Sequence, residues 1–151
     1  MIGRAKLLYA IAAAVSLVGL GDAIYLTVQH VTGQSARCTI ISGCSEVLSS
    51  SYAVIAGVPL AAIGAAAYFS AFSLAILAAF GYRVAGTLLA VLVGIMFLMT
   101  LWLTFLQAFV IHHFCQFCLL SALVTLILTG LVIALRRLRN ALSEPPAVTG
   151  G

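Results

Sequence analysis

The sequence predicts an all-α membrane protein, a four-transmembrane-helix bundle with a long outer loop between helices 1 and 2. Three observations predict it. Of the 151 residues, 64% are hydrophobic and 7% charged, and a mean hydropathy of +1.26 lies far outside the mixture of a soluble domain. The apolar residues come in long unbroken runs, which water does not tolerate and lipid does. The basic residues sit at the ends of those runs rather than on one face, so the formal net charge of +4 is a topology signal and not a nucleic-acid patch.

Leu7 to Val28 forms the first run, with Arg4 and Lys6 before it, His30 after it and the single charge of Asp22 within it. A cleaved signal peptide fits less well, because the run continues past the usual apolar length to Leu26. Residues 30–52 are the one extended polar stretch, read as a loop with a short helix near Glu46. Val54 to Phe80 holds no charge, and Gly57-Val58-Pro59 marks a bend before a second helix starting near Pro59. Gly81-Tyr82-Arg83 makes a short turn.

Val84 to Leu135 contains no Asp, Glu, Lys or Arg. As one helix it would be about 78 Å long, against about 30 Å of hydrocarbon, so the run must break. Its most polar point, His112-His113, divides it into Val84 to Ile111 and Phe114 to Leu135, each long enough to cross. Arg136, Arg137 and Arg139 stop the last span. Residues 1–142 thus read as one four-helix transmembrane domain, and residues 143–151, with Pro145 and Pro146, as a disordered cytoplasmic tail.

In this arrangement Arg4, Lys6, Arg83, Arg136, Arg137 and Arg139 fall on one side and Arg37 alone on the other. The positive-inside rule then makes both termini cytoplasmic. The 30–52 loop and the His112-His113 turn face outward, and they hold or adjoin all four cysteines, Cys38, Cys44, Cys115 and Cys118.

Cys115-Gln116-Phe117-Cys118 is a C-x-x-C pair at the expected first turn of the fourth helix, where residues three apart share a face and can be bridged. Unpaired N–H groups and the positive helix end favour the thiolate there, the form that attacks a disulfide or reduces an acceptor. Phe114 and Phe117 put aromatic surface beside the sulfurs, where a flat lipid-soluble ring could lie. Cys38 and Cys44, a C-x5-C pair around Gly43, sit in a loop that lets them close on one another or reach elsewhere. A structural reading stays open beside this one: two disulfides clamping an exposed loop to the bundle, in a non-enzymatic membrane protein. Zinc is disfavoured by the oxidising location, and no metal site is expected. Asp22, an ionisable group in a membrane helix, reads as an anchor for the loop, a proton acceptor, or a neutral hydrogen-bonded side chain.

At these residues the sequence resembles bacterial homologues of vitamin K epoxide reductase. The matching pattern is Gly21-Asp22-Ala23-Ile24-Tyr25-Leu26-Thr27, Cys38 to Cys44, Ser50-Ser51-Tyr52-Ala53 with Gly57-Val58-Pro59, and Cys115-Gln116-Phe117-Cys118. The order, loop pair first and C-x-x-C second, is reversed in the other quinone-coupled disulfide-forming family. The resemblance implies a bundle around a quinone, ubiquinone or menaquinone, in the bacterial cytoplasmic (inner) membrane. It makes Cys115 and Cys118 the redox centre, with Cys118 nearest the quinone, and Cys38 and Cys44 the shuttle. Cys38 would exchange with a thioredoxin-fold partner, and Cys44 would attack the Cys115–Cys118 bridge at Cys115. Ser50 matches a serine or asparagine position near the quinone. Many relatives carry a thioredoxin-like domain after the fourth helix. This sequence shows none, so a periplasmic or extracytoplasmic DsbA-like oxidase is expected in trans, supporting disulfide formation in exported proteins.

Overall fold

The apolar runs become four long helices because a chain in hydrocarbon has only itself to satisfy its backbone N–H and C=O groups. The computed structural model describes residues 2–33 and 49–144. Helix α1 spans Ile2–Val31, α2 Leu60–Ala79, α3 Arg83–Phe105 and α4 Gln116–Ser143, and α3 runs on as a π-helical turn over Leu106–Ile111. All four are long and apolar enough to cross a membrane. The expected short helix near Glu46 lies outside the described residues.

Two boundaries differ from the sequence reading, each for a physical reason. Helix α4 does not stop at Arg136 but continues to Ser143. Three arginines end the apolar span, but they are good helix formers and do not end the helix. The bend at Gly57 is a miniature hairpin in which β1 (Val54–Ile55) pairs antiparallel with β2 (Val58–Pro59), Val54 facing Pro59 and Ile55 facing Val58. Its two turn residues, Ala56 at φ 51° and Gly57 at φ 82°, both have positive φ, the combination whose twist matches a two-residue hairpin. Pro59 then caps the start of α2, where its missing N–H costs no helical bond.

The helices pack as a ring, α1 on α2 and α4, α3 on α2 and α4. Small residues let α1 and α2 approach closely: Ala12, Ala13, Ala23, Ala71 and Ala75 are all buried at the centre with Leu89, Val93 and Leu128. Gly19 of α1 is required where it is, since a Cβ there would collide with the ring of Tyr68 on α2. Large apolar side chains such as Phe69, Phe80, Leu98 and Phe109 point outward, as they should where the surroundings are lipid. Hydroxyls within the spans turn back on their own helix: Ser16 donates to the Ala12 carbonyl at 2.8 Å and Thr27 to that of Ala23 at 2.7 Å.

This up-and-down path separates two ends. Arg4, Lys6, Arg83, Arg136, Arg137 and Arg139 fall at one, where Arg136 and Arg139 line a small cleft with Tyr9, Gly86 and Leu135. The starts of α2 and α4, the hairpin and the C-x-x-C pair occupy the other.

Candidate active site

Helix α3 ends where His112 takes the left-handed conformation, φ 59°, and turns the chain outward. An extended segment leads to Cys115, the N-cap of α4, whose carbonyl accepts the first helical bond from Leu119 N–H at 3.0 Å. Cys118 lies three residues on, at the third helical position. Both are free thiols. The two sulfurs are joined by a thiol hydrogen bond.

Cys115 is fully buried, in a small cluster with Leu26 that Ala61, Ile111 and Phe117 complete. Its backbone N–H donates to Oε1 of Gln107, itself 4% exposed on the π-helical turn. The Cys118 thiol donates toward Cys115 Sγ, and the helix-start N–H groups of Cys118 and Phe117 point at it. Together these hold the Cys115 thiol below its ordinary range, at about 7, against burial and the Asp22 carboxylate, which push it upward. A sulfur placed this way is a ready thiolate and a good leaving group.

Cys118 opens onto a cavity enclosed by all four helices and the segment before the hairpin, about 950 Å³ with its mouth included. Leu26, Leu60, Ala61, Leu103, Leu106 and Ile111 give it mostly apolar walls. Asp22, Ser50, Tyr68, Thr100, Gln107 and Ser121 place polar groups at separate points. Tyr68 is 2% exposed, and its hydroxyl is fixed by the Ser121 hydroxyl at 2.7 Å, the Ser121 carbonyl at 3.0 Å and the Thr125 hydroxyl at 3.1 Å.

Of the residues singled out in the sequence, Cys118, Ser50 and Asp22 share the wall of this cavity, and Cys115 lies directly behind it. Phe114 and Phe117 are not among the lining residues: Phe114 is 41% exposed before α4, and Phe117 packs its ring on Tyr25 of α1 with centroids 5.1 Å apart. Cys38 and Cys44 lie outside the described residues. Tyr68 and Gln107 were not foreseen. Their signals were slight: one tyrosine after three alanines, and the sole amide side chain between Val84 and Cys115.

A membrane bundle whose cavity is faced by a helix-start dithiol defines an α-helical membrane protein equipped for thiol redox chemistry. The chain belongs to the vitamin K epoxide reductase family, whose model matches residues 10–133. It is also similar to the thiol-disulfide oxidoreductase LTO1 of Arabidopsis thaliana, 52% identical over 48 residues, 31% of this chain. That match spans 13% of the relative's own length.

Proposed function

We propose that this protein is a quinone-coupled thiol–disulfide oxidoreductase of the bacterial cytoplasmic membrane. In this reading it reoxidises a thioredoxin-fold, DsbA-like protein and so supports disulfide formation in exported proteins. The observation that carries the reading is the position of Cys118, on the wall of a mostly apolar cavity with its partner thiol buried behind it. An inert clamp needs no such cavity.

Electrons enter at the loop pair. The partner's dithiol exchanges with the Cys38–Cys44 bridge, the partner leaving oxidised and the loop reduced. Cys44 then attacks the Cys115–Cys118 bridge at Cys115, and Cys118 leaves as a thiolate that takes up the proton given up by Cys44. Cys38 resolves the Cys44–Cys115 link, re-forming the loop bridge and releasing Cys115. A thiol held at about 7 leaves readily, which speeds that last exchange.

The cavity residues fit a quinone. Small-molecule sites are mostly apolar with a few placed polar groups, and this lining has that character. Leu26, Leu60, Leu103 and Ile111 would hold the ring and chain, and the hydroxyls of Ser50 and Ser121 its oxygens. A bound quinone supplies an acceptor of two electrons and two protons. Cys115 and Cys118 supply both electrons and close to a disulfide. The grouping of the described basic residues at the opposite end supports cytoplasmic termini and an outward-facing dithiol.

Purified protein given a reduced thioredoxin-fold protein and a short-chain ubiquinone or menaquinone should oxidise the thiols in a quinone-dependent way, and Cys118→Ala should abolish this. Two bridges inert to mild dithiol, with no quinone-dependent turnover, would make it instead a membrane protein with two structural disulfides.

A further inference from the structure

One buried ionisable group in the cavity wall has no role in the relay as drawn above. Asp22 sits within a membrane span, 9% exposed, and both of its carboxylate oxygens are buried with no hydrogen-bond partner among the described residues. It lines the same cavity as Cys118 and is close enough to act electrostatically on both thiols. An orphaned carboxyl in a membrane interior is costly, and the anchoring bonds that would justify a structural role are missing among the described residues. The other titratable side chains facing the cavity are His30 on α1, Tyr52 beside the hairpin, Tyr68 on α2 and Cys118 on α4, with Cys115 behind. Helix α3 contributes none, and no Lys or Arg is among the lining residues.

The chemistry of the cavity supplies the missing partner. Oxidising two thiols breaks two S–H bonds, forms one S–S bond and releases two electrons and two protons. Reducing a quinone consumes the same two electrons and forms two O–H bonds. The walls are mostly apolar, so the protons need a carrier inside. We infer that Asp22 is the proton-transfer group of the cavity, taking protons from the dithiol and delivering them to the oxygens of the acceptor. The carboxylate accepts the Cys118 proton and, as the acid, hands it to one acceptor oxygen. Emptied, it carries the Cys115 proton in the same way and ends as it began. Its bonding capacity suits both ends of the reaction: the acid donates to a carbonyl oxygen, and the carboxylate accepts from the hydroxyl that results.

The inference rests on the quinone reading, and the test separates the two. The first arm needs no turnover. Dicyclohexylcarbodiimide partitions into membranes and reacts with protonated carboxyls, and the chain has three Asp and Glu side chains in all. Digestion and mass spectrometry of the treated full-length protein should find one adduct in the α1 peptide, at Asp22, suppressed by a short-chain quinone and absent in Asp22→Asn. The second arm follows dithiol-to-quinone turnover. Asp22→Asn should lower it about a hundredfold, within the range for loss of a proton-transfer group, and Asp22→Glu should restore much of it with a displaced pH profile. Wild-type protein without quinone turnover would sink the functional reading. Wild-type turnover matched by Asp22→Asn at every pH, or an Asp22 that the carbodiimide fails to modify, would sink this inference alone. A folded Asp22→Glu that turned over no better than Asp22→Asn would also overturn it.

Discussion

The backbone N–H of Cys115 donates to Oε1 of Gln107 at 3.2 Å, joining the end of one membrane helix to the start of the next. The bond exists because α3 finishes in a π-helical turn, which brings Gln107 to face the cysteine across the His112 corner. Both partners are buried, so removing the acceptor strands an N–H group in an apolar setting.

Gln107→Leu should therefore destabilise the protein by about 1–3 kcal/mol, the cost of an unsatisfied buried donor. Gln107→Glu, which keeps an acceptor oxygen, should recover part of the loss. Thermal unfolding in detergent is the check, and equal transitions for wild type and the Leu variant would remove the bond from the account of the site.

The acidity of Cys115 depends first on the thiol of Cys118. In a Cys38→Ala/Cys44→Ala background with the pair reduced, alkylation of Cys115 should rise with pH to half its maximum near about 7. A depressed thiol is protonated only below that value, so the rate falls as pH drops through it and is already near its plateau at pH values where an ordinary thiol is still mostly protonated. Cys118→Ala removes the donor and should move the midpoint upward. Rapid iodoacetamide quenching with peptide mass spectrometry reads both curves.

Gly19 and Tyr68 should behave as one unit. Gly19→Val drives a side chain into the Tyr68 ring and should cost about 1–3 kcal/mol by overpacking. Tyr68→Phe keeps the ring but drops the hydroxyl bonded to Ser121 and Thr125, for about 1 kcal/mol. The pair Gly19→Val with Tyr68→Ala should lose less than the sum of its single changes, since the valine then has room. Additive losses would mean that the contact is not shared.

The relay makes a covalent prediction. In the proposed relay Cys38 resolves the Cys44–Cys115 link from one side and Cys118 from the other, so changing both to alanine should lock Cys44 to Cys115 in a reducible cross-link. Mass spectrometry after digestion between them would reveal it. A double variant that stayed fully reduced under oxidising conditions would contradict the relay, and a Cys38–Cys115 link in the complementary variant would exchange the two loop roles.

Much of the frame was legible because lipid imposes simple rules. A run of 52 uncharged residues, Val84 to Leu135, is too long for one crossing, and its polar point at His112-His113 is where the chain turns. The cysteine pair could be placed at a helix start for the same reason. The hairpin was not legible, because Ala at the first turn position is not a residue that announces positive φ. The cavity was legible only in part. Ser50 and Cys118 carry motif information, whereas Tyr68, Gln107 and Ser121 reach the cavity through helix packing, which pattern alone does not specify. The aromatic pair shows the converse. Phe117 follows the helical rotation onto Tyr25 rather than toward the cavity, a direction that nearness in sequence to Cys118 did not reveal.

Helix α4 has 28 residues, about 42 Å of rod against about 30 Å of hydrocarbon. Its surplus carries Arg136, Arg137 and Arg139 into the headgroup layer, where their charges resist being drawn inward or pushed out. The same rod is capped at its other end by Cys115 and carries Cys118 in its first turn. The guanidinium groups thus act as a depth gauge: anchored among phosphates at one face, they set the height at which the sulfur pair is presented near the other. A thinner or thicker bilayer should tilt this helix before it changes the depth of the dithiol.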